Sequence, residues 1–201
     1  MIKSANPNHP KKGSTIKVEP IRDLDAIRQI KELLADKPRD LCLFTFGINT
    51  AYRASEILSL NIGDVRHLTT GDRLDVKQSK TKKYRAVTLN HIVIGAIQAW
   101  IDVHPEKKND GAALFYSQKS KKALLVPTVT NMLKHWCSQT KLAGNYGSHT
   151  MRKTWGYHQR NINKSSTSLL MVAFGHESEK QTLSYLCIQE KEVTVLFDME
   201  L

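Results

Sequence analysis

Only two stretches of this chain read plainly as β-strands, and that restricts its fold more than any other feature. Residues 74–78 and 84–89 are β-prone, and Ser79-Lys80-Thr81-Lys82-Lys83 between them suits a hairpin connection. Elsewhere the apolar residues recur at helical spacing. Ile21, Leu24, Ile27, Ile30 and Leu34 mark a helix over residues 20–35, with Pro20 near its start. Pro38 opens a second apolar helix over residues 38–49, and residues 54–60 form a short one behind Arg53. Residues 91–103 are helical, and Pro127 opens a helix that runs to Leu142 and can end at Gly144. Ser148 is a good N-cap for the next helix, which carries His149 and Arg152. Residues 165–168 precede a helix through Phe174; Gly175 ends it and places His176 at a turn. Residues 180–186 and 190–199 complete a helical C-terminus. Residues 112–116 are a short apolar run whose type stays open, and no internal repeat is present. The expected class is mainly α with one small antiparallel β-hairpin, an α+β fold.

Charge and composition narrow the function. A chain of 201 residues, 40% hydrophobic, suffices for one sizeable core or two small ones. Its net charge of +11 suggests an anionic partner. Residues 77–164 hold 16 Lys and Arg against Asp102, Glu106 and Asp110, whereas residues 165–201 carry 2 basic and 6 acidic side chains. A basic middle and an acidic tail point to one nucleic-acid-facing surface; the plainer alternative is a solvated, lysine-rich face. Residues 1–18 hold four Lys, no acid, and Pro7, Pro10 and Gly13, as a flexible basic arm or linker does. Residues 19–201 then form one domain, with residues 187–201 as its C-terminal tail. Cys42, Cys137 and Cys187 are single and widely spaced, which suits a reducing compartment and gives no zinc-binding pattern. No metal or other cofactor is expected. The N-terminus lacks the apolar core of a signal peptide, and apolar stretches such as residues 41–48 are far too short to span a bilayer. A cytosolic location is expected, with no membrane partner.

Six residues carry the chemistry: Arg53, Lys80, His149, Arg152, His176 and Tyr185. His149 and Arg152, three apart, share one helix face and can touch one small anion. His176 supplies a second donor, and Tyr185, nine residues further on, a nucleophile. Phosphoryl transfer needs that mixture of fixed cations around a phosphate and an attacking oxygen in line. Guanidinium stays charged and offers a fork that lysine lacks, so Arg53 and Arg152 suit nonbridging oxygens. Free tyrosine has a pKa of about 10, so Tyr185 needs cationic surroundings or a base to attack at neutral pH. Among the other basic residues, Lys77, Lys82, Lys83, Arg85 and Lys153 fit phosphate contacts, and Lys119, Lys121 and Lys122 form a second such cluster. Each site residue also has an ordinary reading. Arg53 fits a helix ion pair with Glu56, Arg152 a surface arginine, Tyr185 a half-buried aromatic, and Lys80 one member of a charge run. His9, His67, His91, His104, His135 and His158 fit structural or surface roles, and Trp100, Trp136 and Trp155 core positions.

The order of these residues resembles the tyrosine recombinase family of phage integrases, Xer-type resolvases and fimbrial invertases. The first family box is similar to residues 51–60, Ala-Tyr-Arg-Ala-Ser-Glu-Ile-Leu-Ser-Leu; the second is His149-x-x-Arg152. The third runs from Leu169-Leu170 through Phe174-Gly175-His176 to Tyr185-Leu186, and Gln78-Ser79-Lys80-Thr81 resembles the lysine-bearing hairpin. The resemblance extends from about Val18 to the C-terminus. It implies a catalytic-domain fold and attack by Tyr185 on double-stranded DNA, giving a 3′-phosphotyrosyl bond and a free 5′ hydroxyl. Arg53 and Arg152 would clamp the phosphate, His149 would take the tyrosine proton or donate to oxygen, and His176 would donate to the transition state. Lys80 would protonate the leaving oxygen. Strand exchange would need several protomers on paired sites, a tetramer in the active complex. Family members usually add an N-terminal core-binding domain, for which there is no room before Val18; a truncated piece or a naturally short member is expected.

Two departures stand out. Lys153 follows Arg152 where many relatives carry His, and Tyr52 replaces an aliphatic residue before Arg53. Two other classes share the chemistry or the fold: a DNA-binding regulator that does not cut, and a type IB topoisomerase that relaxes supercoils. The intact set of six argues against the first, and size and boxes against the second. In the tail, Val193, Leu196 and Phe197 lie at helical spacing, with Val195, Met199 and Leu201 nearby. Such an apolar stripe needs a surface to cover, either on its own domain or on a neighbouring protomer.

Overall fold

The computed structural model describes residues 18–77, 84–188, 193–194 and 197–198. Among them, helices α1 (Leu24–Leu33), α2 (Pro38–Asn49), α3 (Ala54–Ile57) and α4 (Ile62–Val65) precede a two-stranded antiparallel sheet, β1 (Arg73–Lys77) and β2 (Tyr84–Thr88). Helices α5 (His91–Asp102), α6 (Val126–Gln139), α7 (Thr150–Asn161), α8 (Thr167–Phe174) and α9 (Glu179–Leu186) follow. The mainly helical architecture with one hairpin agrees with the expectation from sequence.

The helix starts have local causes. Asp23 caps α1 by accepting from the Asp25 amide at 2.8 Å, so the helix begins there and not at Pro20. Ile21 instead enters the core from non-helical backbone, its amide donating to Thr154 Oγ1 at 2.9 Å. Pro38 sits in the first turn of α2, whose Cys42, Leu43, Phe44 and Phe46 are fully buried. An apolar helix of this kind belongs inside, and α2 packs against α5 and α7. Helix α6 stops at Gln139, short of Leu142, because the Thr140 hydroxyl binds the Trp136 and Cys137 carbonyls and Lys141 turns left-handed. Residues 112–116 form no strand pair; isolated bridges join Asn61 to Ala113 and Tyr116 to Ala123 while Leu114 and Phe115 are buried.

The hairpin alternates as a half-buried ribbon does, with Leu74 and Val76 turned inward and paired across to Val87 and Arg85. It carries Arg85 toward the interior.

A small second core holds the C-terminal helices. Ala51, Leu170, Phe174 and Leu186 form it, with Trp155 and Tyr185 packed against them. Gly156 on α7 permits this close approach: a Cβ there would lie 2.3 Å from Phe174 Cζ. Gly175 ends α8 with φ of 60°, a left-handed cap that glycine adopts without strain, and so turns His176 back toward α9. The site lies at the seam between the two cores.

Candidate active site

Arg152 is the centre of the arrangement and is 1% exposed. Its Nη1 donates to the Ala51 carbonyl, and its Nη2 to the Phe174 carbonyl at 2.5 Å. Its guanidinium stands 4.8 Å from the Phe174 ring centroid and 5.7 Å from that of Tyr185. The Tyr185 hydroxyl lies 3.0 Å from His149 Nδ1. His149 is the N-cap of α7, one position beyond the Ser148 expected in that place. The difference follows from Thr150, whose Oγ1 accepts from the Gly147 amide at 3.0 Å and folds residues 147–149 into the turn.

His176 stacks on Phe174 at 4.9 Å and meets the edge of Tyr185 at 5.1 Å. Its Nδ1 lies 3.0 Å from the hydroxyl of Thr182, a fully buried residue of α9. Arg53 is the half-exposed N-cap of α3, and its Nη1 donates to Glu56 Oε1 at 2.9 Å. The ion pair with Glu56 therefore exists, and it orients Arg53. Five of the six residues expected to carry the chemistry thus converge. Lys80 lies outside the described residues, as do Lys82 and Lys83.

The electrostatics follow from burial and from crowded cations. Burial, reinforced by Arg152, Arg53 and Arg85, lowers the His176 imidazole to about 4, so it is neutral at pH 7. His149 is also lowered, first by desolvation and then by Arg152, Lys153 and Arg53, although it sits at the exposed rim. Burial raises the Tyr185 phenol above its ordinary range, against the opposing pull of Arg152, Arg53 and Arg85. Arg152 is lowered to about 9 by burial and by Arg85. The site therefore joins a protonated phenol, a neutral imidazole at hydrogen-bond distance from it, and several cations.

Two of the expected phosphate contacts are corrected. Arg85 is 8% exposed, and its guanidinium binds the Phe174 carbonyl at 2.8 Å, the Ala51 carbonyl, and Glu56 Oε2 at 2.8 Å. Strand alternation from Leu74 and Val76 draws it inward, which its place in a basic run conceals. Lys153 is also 8% exposed; its Nζ donates to Cys187 Sγ at 3.1 Å and stands 5.0 Å from the Tyr185 ring centroid. Lys77 is exposed at the end of β1, 5.8 Å from the Tyr84 ring. Lys119, Lys121 and Lys122 are exposed in the segment before α6. Glu56 and Thr182 were not singled out for this site by sequence; the only signal was their spacing from Arg53 and Tyr185.

Among the described residues, no cluster of three or more His, Cys, Asp or Glu could hold a metal, and no helix is long and apolar enough to cross a membrane. His104 and His158 take structural roles, pairing with the carbonyls of Ala113 and Ile21. Trp100 and Trp136 are buried and Trp155 is half-buried. In the tail, Val193 and Phe197 are exposed, and Val195, Leu196, Met199 and Leu201 lie outside the described residues.

The guanidiniums of Arg53, Arg85 and Arg152 thus gather beside a tyrosine paired with His149. The sequence model of the Phage integrase family matches residues 22–192, and the chain belongs to that family of tyrosine-type site-specific recombinases. It is 33% identical over 174 residues to the probable integrase/recombinase YoeC of Bacillus subtilis (strain 168), covering 86% of this chain and 91% of that protein. It is 28% identical over 159 residues to tyrosine recombinase XerC of Caldanaerobacter subterraneus subsp. tengcongensis, covering 78% of this chain but 43% of that one. Among solved structures, XerA recombinase superposes with a TM-score of 0.74 at 18% identity, over 94% of this chain and 65% of that one. XerH, in a post-cleavage complex with its difH substrate, superposes with a TM-score of 0.69 at 21% identity, over 91% and 54%. These structures share the catalytic-domain fold. The family assignment favours the recombinase over a non-cutting regulator or a strand-relaxing enzyme.

Proposed function

We propose that this chain cleaves and rejoins double-stranded DNA through Tyr185. The observation that carries the reading is the 3.0 Å approach of His149 Nδ1 to the Tyr185 hydroxyl, with the buried Arg152 guanidinium 5.7 Å from the Tyr185 ring centroid. Neutral His149 takes the phenol proton as the Tyr185 oxygen bonds to the scissile phosphorus. The bond from phosphorus to the 5′ oxygen breaks, and Lys80 delivers a proton to that oxygen. The product is a 3′-phosphotyrosyl link and a free 5′ hydroxyl; attack by another 5′ hydroxyl reverses the steps and rejoins strands. The link conserves the phosphodiester energy, so no nucleotide is consumed.

Arg53 and Arg152 hold the nonbridging oxygens and offset the charge that builds up on them. His176 donates from Nε2, and this requires its Nδ1 to accept from the Thr182 hydroxyl. Lys77, Lys82, Lys83, Lys119, Lys121 and Lys122 contact phosphates along the duplex. Exchange takes place between protomers on paired sites, a tetramer in the active complex, in the cytosol. Related recombinases and integrases that were solved on DNA support DNA as the partner.

The test is covalent capture. The protein is produced in bacterial cells, the cells are lysed in denaturant, and DNA that stays attached to the protein is sequenced. The expected result is one recurrent sequence broken at a fixed position, lost in Tyr185→Phe. Equal recovery from Tyr185→Phe would overturn the assignment.

A further inference from the structure

We propose that Arg85 is a positioning residue for strand cleavage, holding Arg152 and Arg53 in register through one shared set of hydrogen bonds. The proposal rests on Arg53 and Arg152 being the phosphate clamp. Two guanidiniums and two carbonyls form a closed ring. The Ala51 oxygen accepts from Arg152 Nη1 and Arg85 Nη2, and the Phe174 oxygen accepts from Arg152 Nη2 and Arg85 Nη1. A carbonyl oxygen has two lone pairs, so both acceptors are filled. The Ala51 carbonyl lies just before α3, and the Phe174 carbonyl just before His176. The ring therefore ties β2 and α7 to the segments that carry Arg53 and His176.

Arg85 makes a third link. Its Nη2 donates to Glu56 Oε2 at 2.8 Å, and that oxygen also accepts the Arg53 amide at 2.5 Å. The other Glu56 oxygen holds Arg53 Nη1 at 2.9 Å. Moving Arg85 would thus move the carboxylate that aims Arg53. Arg85 is itself held: its guanidinium stands 5.3 Å from the Tyr52 ring centroid, and the Tyr52 hydroxyl lies between the Leu74 carbonyl at 2.5 Å and the Arg85 carbonyl at 3.0 Å. This gives Tyr52, unusual for its position, a role in the same frame.

Stability alone does not account for the arrangement. Arg152 by itself would satisfy both carbonyls, and burying a second guanidinium beside it costs desolvation and like-charge repulsion. What the pair provides is fixed geometry and charge. Arg53, Arg85 and Arg152 against Glu56 leave two net positive charges at a site where a phosphodiester gains negative charge as it is attacked. Arg85 supplies that charge while its guanidinium is committed to the Ala51 and Phe174 carbonyls and to Glu56.

The test compares wild type with Arg85→Lys and Arg85→Gln on the duplex recovered by covalent capture. Binding is measured across a salt series, and cleavage in single turnover. Both variants should bind with unchanged affinity and salt slope, and cleave about 10²-fold more slowly, since a small misplacement of aligned groups has effects of that order. Lysine keeps the charge but cannot span two carbonyls and a carboxylate, so it should not restore the rate. Wild-type cleavage by either variant overturns the proposal, and so does a salt slope reduced by about one, the mark of a direct phosphate contact. A third readout needs no DNA. The His176 ring is titrated by NMR; its midpoint, held low by burial and by Arg152, Arg53 and Arg85, should rise in Arg85→Gln and stay low in Arg85→Lys. An unchanged midpoint in Arg85→Gln would remove Arg85 from the frame. Because this titration is free of DNA, it separates failure of the Arg85 frame from failure of wild type to cleave at all.

Discussion

Replacing Thr182 with valine should slow cleavage while sparing DNA binding. Thr182 is 0% exposed, and its Oγ1 lies 3.0 Å from His176 Nδ1 and 3.3 Å from the Ser178 carbonyl. One hydroxyl proton cannot serve both acceptors. For His176 to present Nε2–H to a phosphate oxygen, the neutral ring must accept at Nδ1, and Thr182 is the donor available. Valine has nearly the same volume, so no cavity forms and the change is confined to the lost hydrogen bond. A neutral bond of this kind contributes about 0.5–1.5 kcal/mol, which is roughly 2- to 12-fold in the balance of ring tautomers. Single-turnover cleavage by Thr182→Val should therefore fall by about that factor. Thr182→Ser, which keeps the hydroxyl, should recover most of the rate. Unfolding should shift down by a few degrees at most, about 2–4 °C per kcal/mol for a chain of this size. Cleavage by Thr182→Val at the wild-type rate, or a serine variant no better than valine, would refute the reasoning.

Stability should also depend on pH through the histidines. His176, held at about 4, and His104, His149 and His158, also lowered, resist protonation in the fold. The unfolded chain takes up protons near their ordinary value of 6.5, so denaturant midpoints should fall as pH drops from 6.5 toward 4; a flat profile would contradict these environments. Gly156→Ala places a methyl 2.3 Å from Phe174 Cζ, in a ring that is 0% exposed, and should destabilise the chain by about 1–3 kcal/mol by thermal or denaturant unfolding. Changing Lys119, Lys121 and Lys122 together to alanine should flatten the salt dependence of DNA binding with little change in site preference, as measured by titration at several ionic strengths.

Much of the scaffold was legible because its signals are local. Pro38, Ser166, Ser178 and Gly175 mark helix ends at or near where the sequence places them, and the hairpin pairs from Arg73 to Thr88. Helix α4 escaped notice, since four residues are too few to show a period. The convergence of Arg53, His149, Arg152, His176 and Tyr185 could be anticipated from their order, but their partners could not. Arg85 and Lys153 stand in basic stretches and look like surface residues, yet both are buried, because their fate depends on which strand or helix face meets the second core. Glu56 was visible as a neighbour of Arg53, whereas its second bond, to Arg85 on β2, spans 29 residues and leaves no mark in the sequence. Thr182 is hidden for the same reason: only the fold brings its hydroxyl to the ring of His176.

The most direct test of the account locates the covalent bond on the protein. The captured duplex is incubated with protein in EDTA, the adduct is digested with nuclease and trypsin, and the peptide is read by mass spectrometry. A nucleotide should be joined to Tyr185 through phosphate, with a free 5′ hydroxyl on the released strand and full yield without divalent metal. A nucleotide on any other residue, a 5′ phosphate on the released strand, or a strict need for metal would contradict it.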